Sequence, residues 1–422
     1  MDLTPFNLPK KILKILGMWQ EKNSPFWYKI YGLFLHLYIL EHSCFCQTIY
    51  AVITVQEKNY KDFIDTFSIL LTCYLTIFKT LIFIKNLQKI KKLTKKLESL
   101  LKFSNFNSEP RPNVKFYSTR IRKITNSTYG FHTAIITLSF LMPLIGHNRK
   151  LPFKTWAYFD YEKTELSFMT IMIMEFTTSA FTVAINSSLD VYPVIFMCYT
   201  IAMLKELSEH FKKVKNSCEK IKENGNSEYK SKSFGNSIKN LENSSIKLKN
   251  VNNLLKYQKI QNSKTEPKEI DLKICVDLHR KLKDFCYEIS SNYALHFMVQ
   301  IFFSTLLLCS SVFHLTKLSF DVETSLFFRT LMYVIIMVIQ VFLPCHYGNE
   351  ITVASDELSL SVFHSDWIKS GQNYKGKIKF VLTNLKKRIN IEVFGIFHVN
   401  YEIFNSVCNS AYSIYALLKK NM

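Results

Sequence analysis

Four ionisable side chains inside long apolar segments are candidates for a chemical role, because a charge in such surroundings needs a partner. Lys79, Glu175, Asp190 and Arg329 each stand in a run of mostly apolar residues. A charge in such a run must be paired, or must reach water where the run ends. Lys79 and Arg329 stand near the ends of their runs, so we expect their side chains to extend to water. Glu175 and Asp190 are predicted to pair inside the protein.

Histidine and cysteine residues form no recognisable catalytic or metal-binding motif in the sequence. Cys44 and Cys46 are separated by one residue, so a helix would direct them to different faces. His132, His296 and His314 stand singly in apolar surroundings and are interpreted as structural histidines. The sequence contains no Ser-His-Asp candidate set and no glycine-rich phosphate loop. We therefore predict no enzyme activity, no metal site and no cofactor.

The last apolar segment, 393–418, carries polar residues along one helical face. At 100° per residue they fall within an arc of about 140°. The arc comprises His398, Glu402, Asn405, Ser406, Asn409, Ser410, Ser413, Ala416, Leu417 and Lys420. Lipid cannot satisfy such a stripe, so it must face protein or water. Two interpretations stay open on these residues alone: the stripe packs against other helices, or it lines a water-filled path.

Seven apolar segments must position these side chains. The chain of 422 residues is 48% hydrophobic and 21% charged, and the two classes are segregated, which excludes an ordinary soluble enzyme or a disordered chain. A helix of about 20 apolar residues crosses a bilayer core. The predicted spans are Tyr31–Val55, Phe63–Ile84, Tyr129–Ile145, Leu166–Leu204, Tyr293–Leu315, Ser325–Tyr347 and Val393–Leu418. The fourth is interpreted as one long helix, since its second half is too short to cross alone.

The distribution of lysine and arginine predicts the orientation. Of 54 basic residues, 43 fall in the segments 1–30, 85–128, 205–292 and 348–392, and 9 fall in the segments on the opposite side. Basic residues concentrate on the cytoplasmic side, so the N-terminus is predicted inside and the C-terminus outside. The net charge of +21 then belongs to a face beside anionic lipid, so the lipid bilayer is a partner and nucleic acid is not.

The chain is thus predicted to be an all-α membrane protein with seven transmembrane helices and inverted topology. The predicted segments are a cytoplasmic N-terminus at 1–30, six spans within 31–347 with a long flexible cytoplasmic loop at about 209–292, a cytoplasmic region at 348–392, and the seventh helix with a short extracellular tail at 393–422. Within that loop, Ile270–Ser291 regains a helical period, marked by Ile274, Leu278, Leu282 and Phe285.

Three loose motifs complete the sequence evidence. They are Pro152, Trp156 and Asp160 in a predicted outer loop; Cys345, Gly348, Ser355, Phe363 and Trp367 in the 348–392 region and just before it; and Ser410, Tyr412 and Ser413 near the end. Together with topology and length, these motifs resemble the insect odorant receptor family over nearly the whole chain. Tyr158 stands where that family usually has proline, and Phe363 where tyrosine is common. Gustatory receptors share the architecture, but their Gln-Phe pair does not follow Tyr412.

The resemblance implies a function. The chain would be a tuning subunit that assembles with the odorant co-receptor into a heterotetramer, binds small apolar odorants and gates a non-selective cation channel. It would lie in the plasma membrane of olfactory sensory neuron dendrites, and the region 348–392 would anchor the subunits at the pore axis. A metabotropic seven-transmembrane chemoreceptor or a gustatory receptor is the alternative.

Two sets of candidate residues follow from that resemblance. Met and aromatic residues at helical spacing serve as packing as well as ligand contacts, so both interpretations apply to the first set. The ligand-binding candidates are Phe67, Leu71, Thr137, Phe140, Met169, Met172, Ile173 and Tyr333. The pore candidates are Asn405, Asn409, Ser413 and Leu417, at successive i+4 positions, with Leu417 as an apolar ring that closes the pore by dewetting.

Overall fold

The fold is that of a computed structural model, which describes residues 3–21, 23–103, 111–145, 151–225, 267–318, 324–369 and 371–421. Residues 226–266 of the predicted flexible loop lie outside the described residues. So do Met1 and Met422 at the two ends of the chain.

Helices account for nearly all of the described secondary structure. They are α1 (Asn7–Ile15), α2 (Phe26–Leu40), α3 (Gln47–Gln56), α4 (Tyr60–Phe103), α5 (Pro112–Ile145), α6 (Glu165–Gly225), α7 (Pro267–Lys317), α8 (Thr324–Phe363), α9 (Gln372–Leu385) and α10 (Tyr401–Asn421). A π-helical turn, Glu41–Cys46, joins α2 to α3 without a break, and short 3-10 turns cover Thr4–Phe6 and Asp366–Lys369.

The predicted spans fall on helices, apart from the start of the seventh. By length and apolar composition, four helical stretches in the described part of the chain could cross a membrane: Asp62–Lys102, Glu165–Lys212, Leu272–Lys317 and Leu326–Phe363. The fourth predicted span is one helix, as expected, although Pro193 lies inside it. The other three predicted spans lie on α2–α3, on α5 and on α10 with the residues before it.

The predicted start of the seventh helix at Val393 is wrong. Residues Glu392–Val393 form strand β1, which pairs antiparallel with strand β2, Phe397–His398. Between them Phe394 and Gly395 have φ angles of +52° and +70°, in the left-handed region that no α-helix contains. The apolar residues of this hairpin imitate a helical segment in composition, but α10 begins only at Tyr401. His398 therefore lies on β2 and not on the polar face of the helix.

The predicted extent of the flexible loop, 209–292, is also too wide. Helix α6 continues to Gly225 and α7 begins at Pro267, so both ends of the predicted loop are helical. Apolar residues at helical spacing stabilise the second end, where Leu278, Leu282 and Phe285 are buried as expected. At the two described ends of this segment, low hydrophobicity is therefore a property of polar helix ends and not of a loop.

The chain divides into two compact units. The first comprises Met1–Ala202, Asp284–Thr352 and Asn390–Met422, and the second comprises Met203–Lys283 and Val353–Ile389. Aromatic packing holds the N-terminal segment in the first unit, where the rings of Phe6 and Phe196 lie 5.1 Å apart between centroids. The second unit contains its own buried contacts, among them a hydrogen bond of 2.5 Å between the hydroxyls of Ser208 and Ser361. The side chains examined below as a candidate site all belong to the first unit.

Candidate functional site

A cavity of about 160 Å³ lies within the first unit, where one set of helix ends comes together. The N-terminal parts of α4, α6 and α8 line it, together with the C-terminal parts of α5 and α7. Antiparallel neighbours place these ends side by side. The π-helical turn completes the wall with His42 and Ser43, because the wider turn re-aims side chains that an α-helix would place elsewhere.

Most hydroxyl groups around the cavity are engaged with their own helices. Thr178 donates to the carbonyl of Met174 at 2.8 Å, and Thr330 donates to that of Leu326 at 2.9 Å. Ser139 donates to Ile135 in the same way at 2.8 Å. Back-bonding of this kind satisfies the hydroxyl, so the carbon atoms of these side chains are left to face the cavity. A wall that is rich in Ser and Thr by sequence is therefore largely apolar in effect.

Tyr333 is the predicted ligand residue that the structure places on the cavity wall. Its hydroxyl forms a hydrogen bond with the hydroxyl of Thr72 and a longer one, 3.3 Å, to the carbonyl oxygen of Ser68. Both partners lie on α4, whereas Tyr333 lies on α8. The residue thus lines the cavity and joins two of the helices that form it.

The other seven predicted ligand residues lie off the wall. Phe140 and Met172 are buried in one cluster with Phe168, directly behind Ile136 and Phe153, which do line the cavity. Of the remaining five, Leu71 is buried, Phe67 is half-buried, and Thr137, Met169 and Ile173 are exposed in the single chain. The structure therefore brings three of the eight candidates to the cavity or its supporting layer.

An ion pair closes one side of the cavity. The Nη2 atom of Arg329 donates to both carboxylate oxygens of Asp65, at 3.0 and 2.9 Å, and its Nη1 atom donates to the carbonyl of Pro152. The guanidinium also lies 5.1 Å from the centre of the Phe153 ring. Arg329 does not extend to water, because Asp65, 264 residues away in sequence, neutralises it within the first unit.

The loop before α6 covers the same end of the cavity. Phe153 lines the cavity, and the neighbouring Lys154 forms an ion pair of 2.7 Å with Asp62 on α4. Tyr158 donates a hydrogen bond of 3.0 Å to Glu41 in the π-helical turn. Burial raises the pKa of Tyr161, with a further contribution from Glu162, so its hydroxyl stays protonated at neutral pH.

Glu175 on α6 is one of several polar side chains of this wall that keep buried atoms without a hydrogen-bond partner among the described residues; Gln47, Thr182 and Ser311 are others. Its side chain lines the cavity, the residue is only 3% exposed, and neither carboxylate oxygen has a hydrogen-bond partner among the described residues. The polar groups that face it are the backbone of Phe153 and the guanidinium of Arg329. The predicted internal pairing of Glu175 is therefore wrong: a buried carboxyl group faces the cavity instead.

A second buried charge cluster lies deeper in the first unit. The Nζ atom of Lys79 lies 2.6 Å from Oδ1 of Asp190, and Nε2 of His296 lies 3.3 Å from the same oxygen. Lys79 is fully buried, so the expectation that its side chain extends to water is wrong. The expectation that Asp190 pairs internally is confirmed. His296 acts structurally, as expected, and the described residues contain no group of His, Cys, Asp and Glu that could hold a metal.

Helix α10 carries the predicted pore residues on one exposed face. Asn405, Asn409 and Ser413 are exposed, and Leu417 is 62% exposed. The opposite side of the helix packs against the first unit, where Val407 and Ala411 are buried. The single chain therefore leaves the polar arc uncovered, as the sequence spacing predicts.

Polar residues at helical spacing in the predicted spans are the feature of the sequence from which the cavity wall could have been predicted. Glu175, Thr178, Ser179 and Thr182 stand at i, i+3, i+4 and i+7 of α6 and line it together. That spacing places them on one face of a helix. The predicted ligand residues, mostly Met and aromatic, do not include this face, because an apolar odorant predicts a site with few polar groups.

Known proteins similar to this chain fall in one family. A family model described as 7tm odorant receptor matches residues 59–412. Odorant receptor Or1 of Anopheles gambiae is 21% identical over 96% of this chain and 93% of its own length. Odorant receptor 94a of Drosophila melanogaster is 33% identical over 144 residues, which cover 33% of this chain. The chain spans only 36% of that relative in the match.

The fold also matches a solved structure. The insect olfactory receptor OR5 from Machilis hrabei, in complex with eugenol, superposes with a TM-score of 0.72 over 99% of this chain and 98% of that one, at 16% sequence identity. The unliganded form of the same receptor gives a TM-score of 0.69 over 98% of this chain.

Proposed function

This chain belongs to the 7tm odorant receptor family, and on that premise we propose that it is the ligand-tuned subunit of an odorant-gated cation channel. Membership makes it a multi-pass membrane receptor with the insect odorant receptor fold, and not an enzyme. The proposal adds the ligand site, the channel and the partner subunit.

The cavity of the first unit carries the proposal. It is lined mainly by carbon atoms, since several of its hydroxyl groups bond to their own helices, and a small set of polar groups, Glu175 among them, remains to orient a ligand. Small-molecule sites in proteins have this character. The receptor of the same fold from Machilis hrabei was solved with eugenol, a small and largely apolar molecule. We assign small apolar odorants to the cavity, with Tyr333 on its wall and Phe140 and Met172 in the layer behind.

The exposed polar face of α10 supports the channel. Asn405, Asn409 and Ser413 would be costly against lipid, whereas four copies around an axis would turn them toward water. Leu417 would then form an apolar ring near the outer mouth, where dewetting stops ions until the ring widens. The co-receptor would supply the remaining subunits of the tetramer.

Orientation and location complete the proposal. The charge distribution favours an N-terminus in the cytoplasm and a C-terminus outside. The cavity then lies in the outer half of the bundle, because the C-terminal ends of α5 and α7 border it. The plasma membrane of olfactory sensory neuron dendrites is the site where such a channel would act.

Patch-clamp recording distinguishes this proposal from a metabotropic receptor and from a gustatory receptor. The chain is expressed with and without the odorant co-receptor, with G-protein signalling blocked, and tested with an odorant panel. We expect a non-selective cation current that appears within milliseconds and requires the co-receptor. A response that G-protein blockade abolishes would favour the metabotropic alternative, and one confined to tastants without co-receptor would favour the gustatory one.

A further inference from the structure

We propose that Glu175 is a polar anchor in the cavity, and that it selects ligands carrying a hydroxyl or amine group on a small apolar body. This inference rests on the proposed function in taking the cavity as the ligand site, and it adds the chemical class of the ligand. It differs from the expectation of a purely apolar odorant. A hydrogen-bond donor is the feature that the ligand must have.

The polar groups around the cavity differ in whether they can still accept a hydrogen bond from a ligand. Asp65 is neutralised by Arg329, which donates to both of its oxygens, and the hydroxyl of Thr178 is used by its own helix. Glu175 has two buried oxygens without a hydrogen-bond partner among the described residues. A carboxyl group has two oxygens and keeps an acceptor oxygen in either protonation state, so a ligand donor can bond to it.

A second point for a polar ligand group stands on the same helical face. Thr182 follows Glu175 by two turns of α6, lines the same cavity, and its hydroxyl has no partner among the described residues. Residues at i and i+7 of a helix lie above one another. A ligand whose donor bonds to Glu175 has the Thr182 hydroxyl about 10 Å further along the same face, where it can bond a second polar group, and the rest of the ligand contacts the carbon wall.

The buried, unpartnered carboxyl group gives this arrangement its selectivity. A buried acceptor without a hydrogen-bond donor raises the free energy of the folded protein. A ligand that supplies a donor removes this penalty, whereas an apolar ligand of the same shape leaves the acceptor buried and unpaired. Sites built to bond a polar group discriminate strongly against analogues that lack it. We expect a preference of about ten- to a hundredfold for the donor over its matched non-donor.

The first experiment uses the wild-type full chain alone. Purified protein in detergent micelles is titrated with 2-phenylethanol, 2-phenylethylamine, 2-phenylethyl methyl ether and ethylbenzene, and binding is measured from the ligand-induced rise in unfolding temperature. The alcohol, the amine or both should bind at least about tenfold more tightly than the ether and ethylbenzene. Equal affinities, a preference for the ether, or no binding by any member of the series would overturn the inference.

Variants then assign the preference to Glu175. Glu175→Leu should remove the difference between alcohol and ether, whereas Glu175→Gln keeps an acceptor oxygen and should keep the preference for the alcohol. A preference for the amine should be lost in Glu175→Gln, because it depends on the negative charge. Thr170→Val is the matched control, since its hydroxyl bonds to Leu166 on α6 away from the cavity and its loss should leave the ratio unchanged. A ratio that survives in Glu175→Leu would overturn the assignment.

The same ligands applied in patch-clamp recording separate the two proposals. If the alcohol binds selectively but evokes no current with the co-receptor present, the channel proposal fails and the role of Glu175 stands. If alcohol and ether evoke equal currents and bind equally, the channel stands and the role of Glu175 fails.

Discussion

Lys79, Asp190 and His296 form a charge cluster that is largely shielded from water, since Lys79 is fully buried and the side chain of Asp190 is only 15% exposed. Removing one partner of a buried pair leaves the other charge uncompensated, which costs about 3–5 kcal/mol. Replacing both partners by apolar residues of similar size costs much less. The folded protein is therefore expected to be destabilised more by the loss of one charge than by the replacement of both.

The first prediction tests that argument. Lys79→Met should lower the free energy of unfolding by about 3–5 kcal/mol, and the double variant Lys79→Met with Asp190→Leu should recover most of the loss. Thermal unfolding of the solubilised protein measures both. The control is Lys96→Met, which breaks a half-exposed pair with Glu288 at 2.7 Å and should cost less than about 1 kcal/mol. Additive losses in the double variant would show that the two charges do not depend on each other.

The second prediction concerns the cavity wall. Substitution of Tyr333 by Phe removes the hydroxyl that joins α8 to α4, and Met172→Ala loosens the layer behind the wall. Both should change the order of responses to an odorant panel, because each ligand contacts a different part of the wall. Responses are recorded with the co-receptor present. Leu138→Ala, at an exposed position on α5, is the control. Equal shifts for every odorant, or none, would mean that ligands bind elsewhere.

Close packing at the level of elements fixes where α10 begins. Gly348 on α8 lies against the backbone of Val399, and a Cβ atom at that position would overlap the Val399 carbonyl oxygen. The hairpin of β1 and β2 is tied to the same unit, since the backbone N–H of Glu392 donates to Ser290 at 3.0 Å. The hairpin and the glycine together set the direction in which the last helix leaves.

The third prediction follows from this contact. Gly348→Ala should displace the segment before α10 and reduce both surface expression and odorant-evoked current. Surface biotinylation and current recording measure the two effects. Gly376→Ala in α9 is the matched control, because nothing lies within 4 Å of its Cβ position and alanine favours a helix by about 1 kcal/mol. Unchanged current in Gly348→Ala at normal surface level would show that the close approach is dispensable.

The fourth prediction concerns α10 itself. Leu417→Ser should produce a leak current without odorant, because a polar ring keeps water and ions in the constriction. Substitution of Asn409 or Ser413 should alter ion permeability without opening the channel. Tyr412→Ser, an exposed position outside the polar arc, is the control. Should Leu417→Ser reach the surface with wild-type basal current, gating and permeability, the helix does not form the gate.

Topology is a property of the whole molecule, and its prediction rests on the basic residues. An epitope fused at Met1 should be inaccessible to antibody on intact cells, and one fused at Met422 should be accessible. The physical reason is the split of 43 against 9 basic residues between the two sides. Permeabilised cells provide the control, since both epitopes should then be labelled. Labelling of the N-terminal epitope alone on intact cells would reverse the orientation.

Local pattern was enough to predict the helices and their exposed faces. A run of apolar residues that is long enough to span a bilayer is recognised within the run itself, so each of the seven predicted spans falls wholly or mainly on helix, four of them on stretches long and apolar enough to cross a membrane, and α6 was correctly interpreted as one helix. The polar arc of α10 was predicted for the same reason, because residues at i, i+4 and i+8 share a face whatever surrounds them. The start of the last helix was predicted wrongly, because the turn at Phe394 and Gly395 is not visible in the apolar pattern.

Tertiary structure decided which charges are paired and which are free. Lys79 meets Asp190 across 111 residues and Arg329 meets Asp65 across 264, distances that helical period cannot bridge. Glu175 looks the same as Asp190 in sequence, yet one carboxyl group is paired and the other faces a cavity. That difference depends on the packing of several helices from separate parts of the chain, because a cavity is the space they fail to fill. The sequence by itself therefore determined the helices, their faces and the family, and the packing of those helices alone created the site.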